Sequence, residues 1–557
     1  MRIVIIGGVA GGASAATRAR RLSEEAEIIL LERGPYVSFA NCGLPYHLGG
    51  EIPERSRLLV QTPERLNARF DIDVRVNSEA VAIHRDSKEV EVRRRDGSSY
   101  RLGYDALVLS PGAEPVRPPV PGVDHPALFT LRTLPDLDRI LERLPSARRA
   151  LVVGAGYIGL EVAEAFRHRG LAVTLAERLP HVLALADGEM VAPLHAELRT
   201  HGVDLRLGAS VTAFQHEGGG FRATFDDGSE AAFDLGVLAV GVKPETALAR
   251  AAGLDIGPSS GIRVDDQLRT SDPAIWAVGD AVEVTDFATG RPALIPLAGP
   301  ANRQGRIAAD AILGRSSRYT ASQGTAVVKI FGRTFAMTGA SEARLKALGQ
   351  PVQALHLHPA DHATYYPGAQ AIHLKLCFDP RDGRILGAQA VGVAGVDKRI
   401  DVLAVAQRAG LTVEELQDLE LCYAPPYGSA KDAVNMAGFI AANLRASDLA
   451  LWEPSEPQGD ALLLDVRTQG EFEAGTIPGA LNRPLDELRD WLEDLPRDRE
   501  LRVFCQVGQR GYLACRLLTQ HGFRARNLSG GYLRWQMERE CLPTEPTDVR
   551  SDDGEKG

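Results

Sequence analysis

Cysteine is scarce. The chain of 557 residues carries six, at Cys42, Cys377, Cys422, Cys505, Cys515 and Cys541. So few thiols in so long a chain exclude a disulfide framework. No two form a C-x-x-C pair, which argues against a zinc ribbon or a thioredoxin-type centre, and no metal is expected. Long apolar runs are missing as well. None approaches the roughly 20 residues that span a bilayer, so no membrane association is expected. The opening Met1-Arg2-Ile3-Val4-Ile5-Ile6-Gly7-Gly8 breaks at glycines, where a signal peptide would break at a cleavage site. An excess of positive charge is also absent. Lys+Arg is 63 against Asp+Glu 73, a net charge of −10, so no nucleic-acid partner is expected. A cytoplasmic protein with one or two working thiols fits these absences.

What is present points to a multidomain enzyme. The hydrophobic fraction is 44% and the charged fraction 24%, which excludes a mainly disordered or fibrous chain. At roughly 150 residues per domain, the length suggests about three to four domains. Residues 3–6 read as a strand, 7–12 as a glycine turn, 13–22 as a helix and 27–31 as a strand ending at Glu32. The same unit returns as strand 150–153, turn 154–159, helix 160–168 and strand 172–176, ending at Glu177. From about 325 to 445 the texture changes to antiparallel strands at 327–331, 371–376 and 385–391, with a helix at 402–408. The polar, proline-containing stretch within 446–459 reads as a linker. Residues from 460 form another α/β pattern, with strands 461–464 and 501–504 and a helix at 511–518. The polar tail 544–557 reads as disordered.

Two glycine turns carry nucleotide-binding chemistry. Gly7-Gly8-Val9-Ala10-Gly11-Gly12 follows a strand and opens a helix, whose unpaired N–H groups and positive dipole end suit a pyrophosphate. Val9 stands where the middle glycine of G-x-G-x-x-G usually lies. Glu32, 20 residues past Gly12, is placed for an adenosine ribose. Gly154-Ala155-Gly156-Tyr157-Ile158-Gly159 is a full G-x-G-x-x-G in the same context. Glu177 follows 18 residues after Gly159. A carboxylate there accepts the ribose 2′-OH of NADH and repels the 2′-phosphate of NADPH, while the adjacent Arg178 can soften that preference. A third apolar strand ends at Gly279-Asp280, and Leu109-Ser110-Pro111-Gly112-Ala113 is another strand end.

The order of these pieces resembles the pyridine nucleotide-disulfide oxidoreductase family over residues 1 to about 445. The resemblance implies an FAD-binding domain at 1–115 and 240–322, with Gly7, Gly8, Val9, Ala10, Gly11, Gly12, Glu32, Ser110, Pro111, Gly112, Gly279 and Asp280 around the flavin nucleotide. It implies an NAD(P)H-binding domain at 116–239, with Gly154, Gly156, Tyr157, Ile158, Gly159 and Glu177 at the nucleotide, and a dimerisation domain at 323–445.

Ser38-Phe39-Ala40-Asn41-Cys42-Gly43-Leu44-Pro45-Tyr46 narrows the chemistry. Glutathione-reductase-like members use C-x4-C, yet position 47 here is His47. Cys42 has no local resolving thiol, so it must be oxidised alone, as a sulfenic acid or as a mixed disulfide with a small thiol. This resembles the single-cysteine branch of coenzyme A-disulfide reductases, NADH oxidases and NADH peroxidases, and most of all the first of these. The resemblance implies electron flow from NADH through FAD to a Cys42–CoA mixed disulfide. A nearby flavin, backbone N–H groups and a helix end would lower the thiol pKa. It places CoA phosphates near Ser14, Arg18 and Arg21, and pantetheine near Ser38 and Asn41. Tyr365 and Tyr423, with Tyr366 and Tyr427 ranked below them, are implied as proton donors reaching the site across a homodimer. Lys431 is implied as a CoA contact.

The end of the chain resembles rhodanese domains over 460–543. Leu464-Asp465-Val466-Arg467 and Gly475-Thr476-Ile477-Pro478-Gly479-Ala480 match the opening signature, with Thr476 in place of its usual histidine. Cys505-Gln506-Val507-Gly508-Gln509-Arg510 is a six-residue loop between strand and helix whose N–H groups can surround a persulfide anion, with Arg510 adding positive charge. Gly530-Gly531-Tyr532-Leu533-Arg534-Trp535 resembles the closing segment. Cys515 and Cys541 read as structural.

The expected fold is α/β: two Rossmann-like FAD and NAD(P) domains, an α+β dimerisation domain and a C-terminal rhodanese domain. The combination resembles a coenzyme A-disulfide reductase–rhodanese fusion, an NADH-dependent reductase of CoA disulfide, CoA persulfide or polysulfide, with FAD, NADH or NADPH, and coenzyme A. Two other readings stay open: an NADH oxidase or peroxidase acting through Cys42 sulfenic acid, and a sulfane-sulfur carrier or sensor.

Overall fold

Arg2–Ile6 is buried at its three central residues, and a strand covered on both faces favours parallel neighbours. It pairs in parallel with Glu27–Leu31 on one side and Ala106–Leu109 on the other. Asp73–Arg75 and Ile275–Ala277 extend that sheet at its two edges, also in parallel. A strand from late in the chain thus completes the first sheet. The computed structural model describes residues 1–540. One unit is built from Met1–Arg178, Glu197–Gly332 and Ala336–Ala340, and the other from Leu179–Ala196, Arg333–Phe335 and the chain from Ser341 onward. Cys541 and the tail 544–557 lie outside the described residues.

The first unit repeats its own design. Its second parallel sheet runs Val203–Leu207, Ala172–Glu177, Arg149–Val153, Leu235–Leu238, Leu128–Phe129. In each sheet one central strand, Arg2–Ile6 or Arg149–Val153, leads through a glycine turn into a helix, Ala10–Leu22 in one and Tyr157–His168 in the other. Both helices start three residues before the expected positions 13 and 160. The glycine turns are therefore short, and their last residues already belong to the first helical turn. Ala298–Ile312 lies against Ala10–Leu22, and a Cβ on Gly305 would sit 2.1 Å from the Gly11 carbonyl oxygen.

In the second unit, Gln353–Leu357, His373–Phe378 and Ile385–Gly392 pair antiparallel. The helices Val396–Ala409 and Ala433–Arg445 follow. Next comes a parallel sheet in the order Leu451–Trp452, Ala525–Leu528, Leu501–Phe504, Leu462–Asp465, Leu481–Asn482. The expected linker 446–459 is corrected by this sheet. Trp452 is buried, and its indole N–H donates to the Val503 carbonyl at 3.1 Å. The apolar residues Leu449 and Trp452 carry the segment into the core, whereas the polar residues beyond it drew attention in the sequence. Among the described residues, no helix is long and apolar enough to cross a membrane.

Candidate active site

Cys42 sits in a single turn, Asn41–Gly43, that runs into the helix Leu44–Gly49, where Pro45 occupies the first turn. The thiol is exposed, and the Cys42 backbone N–H donates to Asn41 Oδ1 at 3.0 Å. It opens onto a cavity of about 430 Å³. Ser14, Ser38 and Asn41 line that cavity with Cys42, as do Val9 and Ala10 of the first glycine turn. Sequence reasoning missed Thr17, Gln61 and Asn302 on its polar side and Val60 and Phe70 on its apolar side. Only the fold brings them there: Thr17 lies on the helix Ala10–Leu22, Val60 and Gln61 in one loop, Phe70 at the end of the helix Pro63–Phe70, and Asn302 on the helix Ala298–Ile312. Asn302 marks the approach of the late helix: Ser14 Oγ donates to Asn302 Oδ1 at 2.5 Å. Ser38 holds φ +47, a left-handed conformation costing about 1–2 kcal/mol for a residue with a Cβ.

The two expected phosphate-binding arginines part company. Arg18 Nε donates to Asp310 Oδ1 at 2.7 Å and is largely covered, while Arg21 is exposed; neither lines the cavity. The position of a second redox thiol is filled by His47, which is buried with Nδ1 2.6 Å from the Ile52 carbonyl oxygen.

The electrostatics around Cys42 oppose its ionisation. Although the residue is exposed, partial withdrawal of its sulfur from water raises its pKa most, and the Glu161 and Asp280 carboxylates raise it further; its own backbone N–H works the other way. The expected lowering is thus not supplied by the protein's own charges. Glu161 is itself pushed up to about 7, chiefly by burial, while its hydrogen bond from Tyr46 holds it down.

The nucleotide carboxylates are built alike. Glu32 accepts from the Gly8 N–H at 3.0 Å and the Gly34 N–H at 2.8 Å. Glu177 accepts from the Ala155 N–H at 2.7 Å. Ser110 N–H donates to the Ile6 carbonyl, which brings Ser110, Pro111 and Gly112 beside Gly7. Gly279 N–H donates to Gln304 Oε1 at 2.7 Å, so Gln304 is a further missed member. The Asp280 carboxyl makes no side-chain hydrogen bond among the described residues. Burial raises its pKa, and Arg132 pulls it down.

In the second unit, the Tyr365 and Tyr423 hydroxyls lie 2.7 Å apart. Both are exposed, as are Tyr366, Tyr427 and Lys431. Cys505 directly follows the strand Leu501–Phe504 and is fully buried. The Gly508 N–H donates to Cys505 Sγ at 3.2 Å, the first contact of a nest around the sulfur. Arg510 makes two 2.7 Å bonds to the Glu471 carboxylate. Arg467, buried and paired with Asp465 at 2.7 Å, donates to Gln506 Oε1 at 3.2 Å and so braces the loop. Thr476, which stands where the signature has a histidine, donates from Oγ1 to Asp465 Oδ2 at 2.8 Å. Cys515 is buried in the helix Gln509–Gln520, where burial raises its thiol pKa.

Comparison with known proteins decides the lineage. The sequence pattern described as pyridine nucleotide-disulphide oxidoreductase matches residues 1–305. This chain belongs to that family. Its dimerisation-domain pattern matches residues 325–434, and a rhodanese-like domain matches 450–538. The coenzyme A disulfide reductase of Staphylococcus haemolyticus (strain JCSC1435) is 37% identical over 80% of this chain and 100% of its own length. The structure of reduced Bacillus anthracis CoADR-RHD is 46% identical, covers 96% of this chain and 98% of its own, and superposes with a TM-score of 0.94. The NAD-dependent persulfide reductase from A. fulgidus is 37% identical, covers 96% and 100%, and gives a TM-score of 0.91.

Family membership implies FAD and NAD(P)H, and the residues fit both. A Cβ built on Gly156 meets nothing within 4 Å, so open space lies over the start of Tyr157–His168, a helix end suited to a pyrophosphate. The unpaired, partly buried Asp280 carboxyl is an acceptor suited to flavin-nucleotide hydroxyls.

Proposed function

We propose that this protein is an NADH-dependent reductase of CoA disulfide and CoA persulfide, with Cys42 as its redox thiol and Cys505 as its sulfane-sulfur carrier. The observation that carries the reading is the setting of Cys42. A lone exposed thiol opens onto a cavity of about 430 Å³. Buried His47 stands where a resolving cysteine would be. The oxidised partner must therefore come from outside. The relatives named for CoA disulfide and persulfide reduction support that choice of substrate.

Segments 1–115 and 240–322 then bind FAD, and 116–239 binds NAD(P)H. The flavin, when bound, supplies the two-electron link between NADH and sulfur. Every other task falls to side chains. Ser14, Ser38 and Asn41 hold the CoA arm in the cavity. Arg18 and Arg21 serve its phosphates once Arg18 exchanges Asp310 for the ligand. The Cys42 thiolate attacks the thiol-side sulfur of CoA persulfide, hydrosulfide leaves, and a Cys42–CoA disulfide remains. Two electrons from NADH then cleave that bond, giving the Cys42 thiolate and CoA thiolate. In a homodimer, Tyr365 of the partner subunit and Tyr423 of the partner subunit protonate the departing CoA thiolate, with Tyr427 of the partner subunit and Lys431 of the partner subunit at the rim. CoA is substrate in this scheme, not a resident cofactor. Cys505 accepts sulfane sulfur as a persulfide, and Arg510 offsets its charge.

Anaerobic and aerobic steady-state kinetics test the reading. NADH oxidation should require CoA disulfide or CoA persulfide, with hydrosulfide released only from the latter. A higher kcat/KM with O2 or H2O2 would replace it with an oxidase or peroxidase. No NADH turnover with any acceptor would leave only a carrier or sensor.

A further inference from the structure

The second unit contains a buried polar cluster that takes no part in the chemistry above. Lys375 is 1% exposed, and its ammonium lies 2.6 Å from Glu189, 2.7 Å from Glu342 and 2.8 Å from Asp187. Asp187 is further fixed by Gln389 Nε2 at 2.6 Å and by the backbone N–H groups of Glu342 and Ala343. A lysine so placed keeps its charge only because three carboxylates surround it. Glu189 extends the cluster to His356, whose Nε2 lies 3.2 Å from Glu189 Oε1. That bond puts the proton on Nε2. His356 Nδ1 is left as an acceptor, 3.0 Å from Ser529 Oγ.

His358 completes a second contact beside it. Its Nε2 donates to the Gly530 carbonyl oxygen at 3.0 Å, and its Nδ1 lies 2.7 Å from His373 Nδ1. Burial pushes His356 down to about 3 and His373 down to about 4, and it lowers His358 well below its ordinary value. Burial disfavours the charged ring in all three, and the partners of each ring set its tautomer.

The segment they grip holds the sulfur loop. Gly530 has φ +73, and a Cβ there would lie 2.9 Å from His356 Cβ and 3.1 Å from His358 Nε2. Gly531 has φ +67, and a Cβ there would lie 2.5 Å from the Cys505 carbonyl oxygen and 2.7 Å from the Gly508 nitrogen. One glycine thus faces the histidines and the next faces the loop. Immediately beyond, Tyr532 N–H donates to the Cys505 carbonyl at 2.8 Å and Leu533 N–H to that of Gln506 at 3.0 Å. The Gly508 N–H that reaches Cys505 Sγ sits within this brace.

We propose that His356 and His358 are positioning residues for the Cys505 loop, so that the strand Gln353–Leu357 and the residue that follows it set the shape of the sulfur-carrying site. The proposal rests on Cys505 being the sulfane-sulfur carrier. A displaced Ser529–Gly530 turn moves Gly531 and Tyr532 and misdirects the N–H groups that stabilise the persulfide anion. Sulfur transfer then suffers while chemistry at Cys42 does not.

The test uses the full-length, flavin-loaded protein in two assays. Sulfur transfer is followed with thiosulfate and cyanide. The Cys505 thiolate takes the outer sulfur and releases sulfite, and cyanide then removes that sulfur as thiocyanate. NADH-dependent CoA disulfide reduction reports on Cys42. His358→Leu should lower kcat for thiocyanate formation by roughly tenfold, the effect of one hydrogen bond, and leave CoA disulfide reduction unchanged. His358→Gln, which keeps an N–H donor near the Nε2 position, should restore most of that loss. Ser529→Ala should act in the same direction as His358→Leu. The proposal is overturned if His358→Leu transfers sulfur normally, if His358→Gln fails as fully as His358→Leu, or if both assays fall together. Cys505→Ser separates the two levels. Thiocyanate formation that survives this substitution removes the carrier reading itself, whatever the histidine variants do.

Discussion

Tyr46 Oη donates to Glu161 Oε1 at 3.0 Å, tying the helix that follows Cys42 to the helix that follows the second glycine turn. The bond holds a carboxyl, pushed up to about 7 chiefly by burial, within electrostatic reach of the Cys42 thiol. An ionised Glu161 disfavours the thiolate, so removing its charge lowers the Cys42 pKa. In Glu161→Gln, alkylation of Cys42 by iodoacetamide should reach half its maximal rate at a lower pH than in the parent protein. An unchanged midpoint would show that Glu161 does not act on the thiol, and a higher one would contradict the sign of its effect.

Glu177 accepts from Ala155 N–H at 2.7 Å, so its carboxylate is anchored at the second glycine turn. On the proposed reading, a carboxylate there would accept a nucleotide ribose hydroxyl and repel a 2′-phosphate. NADH should exceed NADPH in kcat/KM by ten- to a hundredfold, corresponding to about 1.4–2.7 kcal/mol. Glu177→Ala should narrow the ratio. A wild-type preference for NADPH would assign the exposed Arg178 the deciding role.

Much of this architecture is legible in the residues because local pattern and chemistry coincide. Glu32 and Glu177 follow their glycine turns at related spacings, and both carboxylates bind turn N–H groups. Cys505 could be placed at a strand end because the loop after it has a fixed length. What escaped comes from distant elements meeting. Gln61 and Asn302 reach the Cys42 cavity from opposite ends of the first unit's chain, and no periodicity marks either one. Arg18 and Arg21 share a helical spacing, yet Asp310 on a later helix takes one and not the other. The linker failed for a related reason. Proline and polar residues after Trp452 concealed two residues that add a strand to the sheet.

The Tyr365 and Tyr423 hydroxyls share one hydrogen bond. Residues that pass a proton as a unit lose activity non-additively. Tyr365→Phe and Tyr423→Phe should each lower kcat for CoA disulfide by roughly a hundredfold, the low end of general-acid effects, and the double variant should lose little more. Independent, multiplying losses in steady-state assays would separate their roles.

Thr476 donates at 2.8 Å to Asp465, which is fully buried and paired with Arg467. Thr476→Val keeps the shape and removes one donor from a buried carboxylate. It should destabilise the C-terminal sulfur module by about 1–3 kcal/mol, read as a lower urea midpoint for the transition followed by tryptophan fluorescence. An unchanged midpoint would mean that Arg467 alone satisfies that carboxylate.

The decisive measurement is peptide mass spectrometry under non-reducing conditions after the flavin-loaded protein meets CoA disulfide without oxygen. One CoA should be found on the Cys42 peptide, and it should disappear once NADH is added. An adduct on another cysteine, no adduct at all, or an adduct that NADH does not remove would contradict a single thiol exchanging electrons with an external sulfur compound.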